Sequence, residues 1–255
     1  TCALPIYGIF VEFSKSYGSN CGITVCGQYD EKNRFHIEYY FPFFRGTGIT
    51  TQEQVTVERH ADKEAFSGAC DDLRIGITLI FYLQNGTEYM LEKQKKVSGN
   101  HFTTLSGLAG EGRILLPVLK DKEAVKVEKE TSTNRSNLIA AARNGDEEAM
   151  ESLTMEDMDT YSMISHRIVH EDILSIVDSY FMPCGIQCDQ YSVLGEILEF
   201  HTFENIATGE DLLQMKIDCN NIQFDVCINQ KDLLGEPAVG RRFRGDIWLQ
   251  GQIHF

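Results

Sequence analysis

The chain has 255 residues, 42% of them hydrophobic and 24% charged, and a formal net charge of −15 from 38 acids against 23 lysines and arginines. The length allows one large domain or two smaller ones, and the composition is that of a globular protein. The negative excess disfavours general nucleic-acid and anionic-membrane binding, and no apolar run approaches the ~18 residues of a membrane-spanning helix.

Residues 1–6, Thr-Cys-Ala-Leu-Pro-Ile, are what one reading frame of a widely used sequencing adapter would encode. They are expected to be non-native and are set aside from fold reasoning. Residues 7–130 are expected to form an N-terminal α+β region built on an antiparallel sheet. Ile23, Val25, Phe35, Ile37 and Tyr39 alternate with polar neighbours, and the polar stretch 29–34 between them predicts a β-hairpin. Val55 and Val57 continue the alternation. Ile75 to Leu83 has too few polar residues for a half-exposed strand and predicts a central one. Asn85-Gly86 ends it, and a short helix is expected over 87–96. Arg113 to Leu119 predicts a further strand, and Lys120 to Glu130 a solvated linker.

Residues 131–182 are expected to be helical. The Ala-rich stretch 138–143 stops at Asn144-Gly145. A second helix is expected over 146–153. A third, capped by Thr154, is expected to bury Met158, Tyr161, Ile164 and Ile168 along one face. Residues 183–255 predict a small antiparallel, barrel-like (OB-like) β-module. Leu213, Met215, Ile217 and Cys219 alternate outward to Asn220-Asn221, and Ile222, Phe224, Val226 and Ile228 alternate back. A strand over 191–203 and another over 248–255, after turns at Gly240 and Gly245, complete it.

Several constellations have residue types suited to chemistry. Arg45-Gly46-Thr47-Gly48 presents backbone N–H groups to an anion but lacks the length and lysine of a phosphate-binding loop. Glu58, Arg59, His60, Asp71, Asp72 and Arg74 supply acid, base and cation on either side of the central strand, as a hydrolytic or ligand-binding site would need. Charge pairing at strand ends accounts for the same residues. Arg45, Thr47 and these six residues are the candidate ligand-binding set.

His166 and His170 share one helical face but lack a third ligand. Cys184 and Cys188 lack a second pair at zinc spacing. The eight dispersed cysteines therefore predict free thiols in a cytoplasmic protein, with no cofactor and no metal. Tyr191, Phe200, Phe203 and Trp248, with the basic Arg241, Arg242 and Arg244, would suit a single nucleic-acid strand, against the acidic total. Lys93 to Lys96 form a second basic cluster.

The stretches Glu38–Ile49, Cys70–Arg74, Ile80–Gln84, Gly145–Ala149, Asp189–Gly195 and Arg244–Gly251 resemble a family of uncharacterised bacterial proteins, domain of unknown function 3881. The resemblance covers nearly everything after Ile6. It implies a cytoplasmic bacterial protein and, because members start further upstream, a chain truncated at its N-terminus. It brings no catalytic roles. The expected function is non-enzymatic binding or regulation through a protein or small ligand. A hydrolase-like or metal-assisted enzyme using the Glu58–Arg74 cluster is the alternative, and single-strand nucleic-acid binding by the C-terminal module a weaker one.

Overall fold

The structure is a computed structural model and describes residues 10–60, 65–72, 74–75, 77–94, 102–118, 134–135, 137–142 and 144–255. The hexapeptide 1–6, the linker 120–130 and Lys95–Lys96 lie outside these residues. The fold is mixed α+β, dominated by sheets.

Strands β1 (Phe10–Ser16), β2 (Cys21–Tyr29) and β3 (Phe35–Phe44) form an antiparallel three-stranded sheet. The predicted polar connection joins β2 to β3. The Asp30 carboxylate organises it, accepting from the Lys32 and Arg34 backbone N–H groups and from Arg34 Nε, each at 2.9 Å. Those backbone bonds from Arg34, then His36, hold the Asp30 carboxyl down to about 2. The predicted alternation in β2 faces the other way. Thr24 and Cys26 are buried, while Ile23 and Ile37 are exposed, because the packed side of this sheet is the side that carries Phe41 and Phe43.

The remaining strands form one large sheet. β4 (Val55–Arg59), β5 (Phe66–Asp71) and β6 (Thr78–Leu83) are antiparallel, and β6 joins β13 (Arg242–His254) through a short parallel pairing. The central position expected for this strand is therefore observed. Helix α1 (Gly86–Gln94) follows as predicted. β7 (Phe102–Leu115) is the strand least visible in sequence, since only its last three residues fall in the expected segment. Past the helices come β8 (Tyr180–Pro183), β9 (Gln190–Asn205), β10 (Glu210–Cys219), β11 (Ile222–Asn229) and the short β12 (Leu233–Leu234).

Five of these strands close on themselves in the order β7, β11, β10, β9, β13 and back to β7. Every pairing among the strands of 180–255 is antiparallel, but the ring closes only by taking in β7, from outside the expected C-terminal module, which pairs antiparallel with β13 and parallel with β11. The β10–β11 hairpin is the predicted one. Cys219 pairs with Ile222, and Asn220 and Asn221 take φ of 54° and 63°, the left-handed pair that a two-residue turn needs. All eight predicted apolar positions of this hairpin are buried, inside a core shared with Phe243, Ile247, Leu249 and Leu105. Gly245 is not a turn. It lies within β13 opposite Gly112, and both face the Phe243 ring so closely that a Cβ would come within 2.7 and 2.5 Å of it.

The three-stranded sheet meets the ring at two places: Phe41 and Phe43 pack toward Tyr82 of β6 and Trp248 of β13, and the ends of β2 and β3 reach the outer side of β11. Cys21 and Phe44 pack on Cys227 there. A buried polar seam fixes the join. Gln250 Oε1 accepts from Phe44 N and from Gln84 Nε2, at 3.1 and 2.7 Å. Gln250 Nε2 donates to the Pro42 carbonyl, and Ser106 Oγ and Gln84 Nε2 both donate to the Phe44 carbonyl.

The helical region differs from expectation. Residues 137–142 are helical, and Gly145 has φ of 89°, as a C-terminal stop requires. The expected second and third helices are one, α2 (Glu147–Ile168). Asp146 caps it, accepting from Ala149 N, so Thr154 is not needed as a cap. The Thr154 hydroxyl instead donates back to the Met150 carbonyl inside the helix. A short helix, α3 (Ile173–Ile176), follows.

Candidate functional site

The eight candidate residues fall into separate places. Val55 pairs with Cys70 and Arg59 with Phe66, so Glu58, Arg59 and His60 occupy one end of the β4–β5 ladder while Asp71 and Asp72 occupy the other. Four residue steps at ~3.4 Å put the two ends about 14 Å apart. His60 Nε2 contacts Ser67 Oγ at 2.9 Å, and the Thr78 hydroxyl donates to Asp71. Arg45 is exposed, with its guanidinium 4.7 Å from the Phe43 ring centroid. Thr47 donates through its N–H and its hydroxyl to the buried Asp225 carboxylate of β11, at 2.5 and 2.6 Å.

Asp72 and Arg74 do meet. Asp72 is 2% exposed, and Arg74 grips both its oxygens, through Nε at 2.8 Å and Nη2 at 2.6 Å. Arg74 also donates to the carbonyls of Thr50 and Asn221, at 2.8 and 3.1 Å. Burial alone would raise the Asp72 carboxyl. The hydrogen bonds and charge of Arg74, helped by Thr51, outweigh it and hold the carboxyl below its ordinary value. With its donors committed to Asp72 and two carbonyls, Arg74 works as a clamp between the 50s loop, the β5–β6 connection and the Asn220-Asn221 turn.

Cavities formed by described residues, of about 520, 370 and 350 Å³, are lined by none of the eight candidates. The first lies beside Arg241 and Arg242. Arg242 is buried and donates to the carbonyls of Leu116, Val177 and Leu174, so it ties β13 to helix α3. Arg241 donates to the Glu236 carbonyl, and Arg244 Nε to the Tyr180 hydroxyl at 3.1 Å. Of the aromatics in this module, Tyr191 is buried and receives the Ile80 N–H on its hydroxyl. Trp248 donates to Asp189 and packs at a tilt against Tyr82.

No group of three or more His, Cys, Asp or Glu residues placed to hold a metal occurs among the described residues. His166 and His170 are exposed at the end of α2. Cys188 is exposed and Cys184 half-buried.

Sequence reasoning missed the most exposed apolar surface. Among the described residues of α2, only Ala149 is fully buried. Met158, Tyr161 and Ile168, all expected inside, are exposed, the first two at 64% and 76%, while Ile164 is half-buried; Met150, Met155 and Met163 are exposed as well. Three of the four positions of the expected buried face are therefore corrected to exposed ones. The three-to-four spacing is present, but among the described residues no strand covers it.

Glu147 and Glu151 share the Met158 side of the helix at four- and seven-residue spacing. Glu147, Glu148, Glu151 and Asp159 form no ion pair among the described residues, whereas Glu156 and Asp157 contact Arg135 at 3.3 and 2.7 Å. Composition held a signal: four of the seven methionines fall in this one acidic helix.

No helix among the described residues is long and apolar enough to cross a membrane. No curated protein and no solved structure matches the chain. A family model does, over residues 7–251, and the chain belongs to that family, described as "Domain of unknown function, E. rectale Gene description (DUF3881)".

Proposed function

We propose that the protein is a non-enzymatic binding module whose helix α2 docks a basic amphipathic segment of a partner protein. The single observation that carries this reading is the open apolar face of α2. Methionine side chains are flexible and polarisable, and surfaces rich in them adapt to varied apolar partners. An apolar stripe at helical spacing suits a second amphipathic helix laid along it. Glu147 and Glu151, on the Met158 side and in no ion pair among the described residues, select a partner of opposite charge, and the chain's net charge of −15 opposes self-association through the same face.

The enzyme reading loses support because the Glu58–His60 group and the Asp71–Arg74 group sit at opposite ends of one ladder. For single-strand binding, the ring's five strands favour an OB-like reading, with the fifth, β7, drawn from outside the C-terminal module. On the outer side of β11, Cys227 and Asp225 are nevertheless taken up by the chain's own Cys21, Phe44 and Thr47.

The test is a fluorescence-anisotropy titration with a short helix-forming Leu–Lys peptide. Binding in the micromolar range, weakened by salt and lost in the Met158→Glu/Tyr161→Glu variant, is expected. Equal binding of a Leu–Glu peptide, or binding unchanged by the double substitution, contradicts the reading.

A further inference from the structure

The strand pairing between β7 and β13 places like charges face to face. Glu111-Gly112-Arg113 runs antiparallel to Arg244-Gly245-Asp246, so Arg113 lies directly opposite Arg244 and Glu111 directly opposite Asp246. Like charges at directly opposed positions destabilise a sheet, and exchanging Glu111 with Arg113 along one strand, or Arg244 with Asp246 along the other, would have set opposite charges together. Both rows lie on the outer face of the ring, where they line a cleft of about 350 Å³ with Asp232 and Ser192.

None of the five charged groups forms an ion pair among the described residues; Arg244 Nε rests on the Tyr180 hydroxyl. A β-bulge sits at the same place. Between Asp246 and Ile247 the register shifts, leaving Gly110 without a partner opposite. Bulges of this kind re-aim neighbouring side chains and are enriched beside functional sites. Beneath them, the Phe243 ring packed against Gly112 and Gly245 gives the cleft a rigid floor.

A cationic row and an anionic row two residues apart along the strands are separated by about 7 Å at the backbone. Both long arginines and the shorter acids can turn toward a molecule lying between the rows. We infer that this cleft binds a small zwitterion of the amino-acid type, with its carboxylate held by Arg113 and Arg244 and its ammonium by Glu111 and Asp246. Arg–carboxylate contact is the geometry in which the guanidinium fork binds most strongly. A ligand of one sign would leave the opposite row uncompensated, so both charges are required. The site is separate from helix α2 and does not depend on the docking role proposed for it.

Thermal-shift measurements on the full chain test this, using pools of the protein amino acids and the corresponding N-acetyl and amide derivatives. At least one free amino acid is expected to raise Tm by roughly 3–6 °C at a tenfold excess over Kd. Its N-acetyl and amide forms should give no shift. Arg113→Gln and Asp246→Asn, both at exposed positions, should fold normally and lose the response. Absence of a shift with every pool overturns the assignment, as does an equal shift from the blocked derivatives or an undiminished shift in both variants.

Discussion

At the scale of single residues, Asp72 and Arg74 decide more than any other charged pair described. Removing Arg74 would strand a buried carboxylate and free two carbonyls. Because Arg74 itself is 35% exposed, the cost falls below that of a fully buried pair. Arg74→Ala is expected to lose about 2–3 kcal/mol in urea unfolding.

The pH dependence follows from the depressed Asp72 carboxyl. Its contribution is fully present above the unfolded value near 3.9 and is lost as pH falls through the lower folded value. Asp72→Asn should therefore be less stable than wild type at pH 7, with the gap closing as the medium is acidified below about pH 4. A gap that widens in acid would contradict the assignment.

Cysteine chemistry gives a second residue-level check. Burial pushes the Cys219 and Cys227 thiols up to about 12, and the Cys26 and Cys70 thiols up to about 11. Of the described cysteines, Cys188 should label first with maleimide in the native state, followed by Cys184. Cys21, Cys26, Cys70, Cys219 and Cys227 should label only after denaturation, as read by peptide mass mapping. The polar cluster shows the limit of sequence spacing. Glu58 and Asp72 are 14 positions apart, and nothing in that number says that a hairpin will hold them at opposite ends.

At the scale of elements, what was legible was local. The β10–β11 hairpin follows from period-two alternation and a two-residue turn that only Asn-like residues enter easily. β7 was not legible, because Thr103, Thr104, Ser106, Gly107, Gly110 and Gly112 read as loop. It is a strand because β11 and β13 pair with it on both sides, and no local window contains that fact. The α2 face shows the converse. Periodicity announces an apolar stripe but not what lies over it.

The mirrored Glu-Gly-Arg and Arg-Gly-Asp triplets were visible as text. They acquired meaning only once the antiparallel register put like on like. The element-level prediction concerns α2. Met158→Gln and Tyr161→Gln should each change stability by less than about 0.5 kcal/mol, as exposed substitutions do. A loss of about 2 kcal/mol or more, the size expected for a core position, would mean that the face is packed in the folded protein.

At the scale of the whole molecule, the two sheets are joined by apolar contacts and by a buried polar seam. Gln250 is fully buried and serves Phe44, Pro42 and Gln84 together. Gln250→Leu would take a hydrogen bond from each of them, leaving Gln84 Nε2 with the Phe44 carbonyl, and should cost about 2–4 kcal/mol in chemical denaturation. Beyond that join, the ring and its covering sheet bury their apolar surface against each other, while α2 keeps its own exposed.

Hydrogen exchange along α2 tests that division most directly, measured with the protein alone and with the Leu–Lys peptide. The amides of Glu147–Ile168 should exchange far faster than those of Leu213–Ile228 in the free protein, and should slow selectively when the peptide is added. Protection of α2 equal to that of the hairpin without peptide, or peptide-induced protection confined to other elements, would contradict the account.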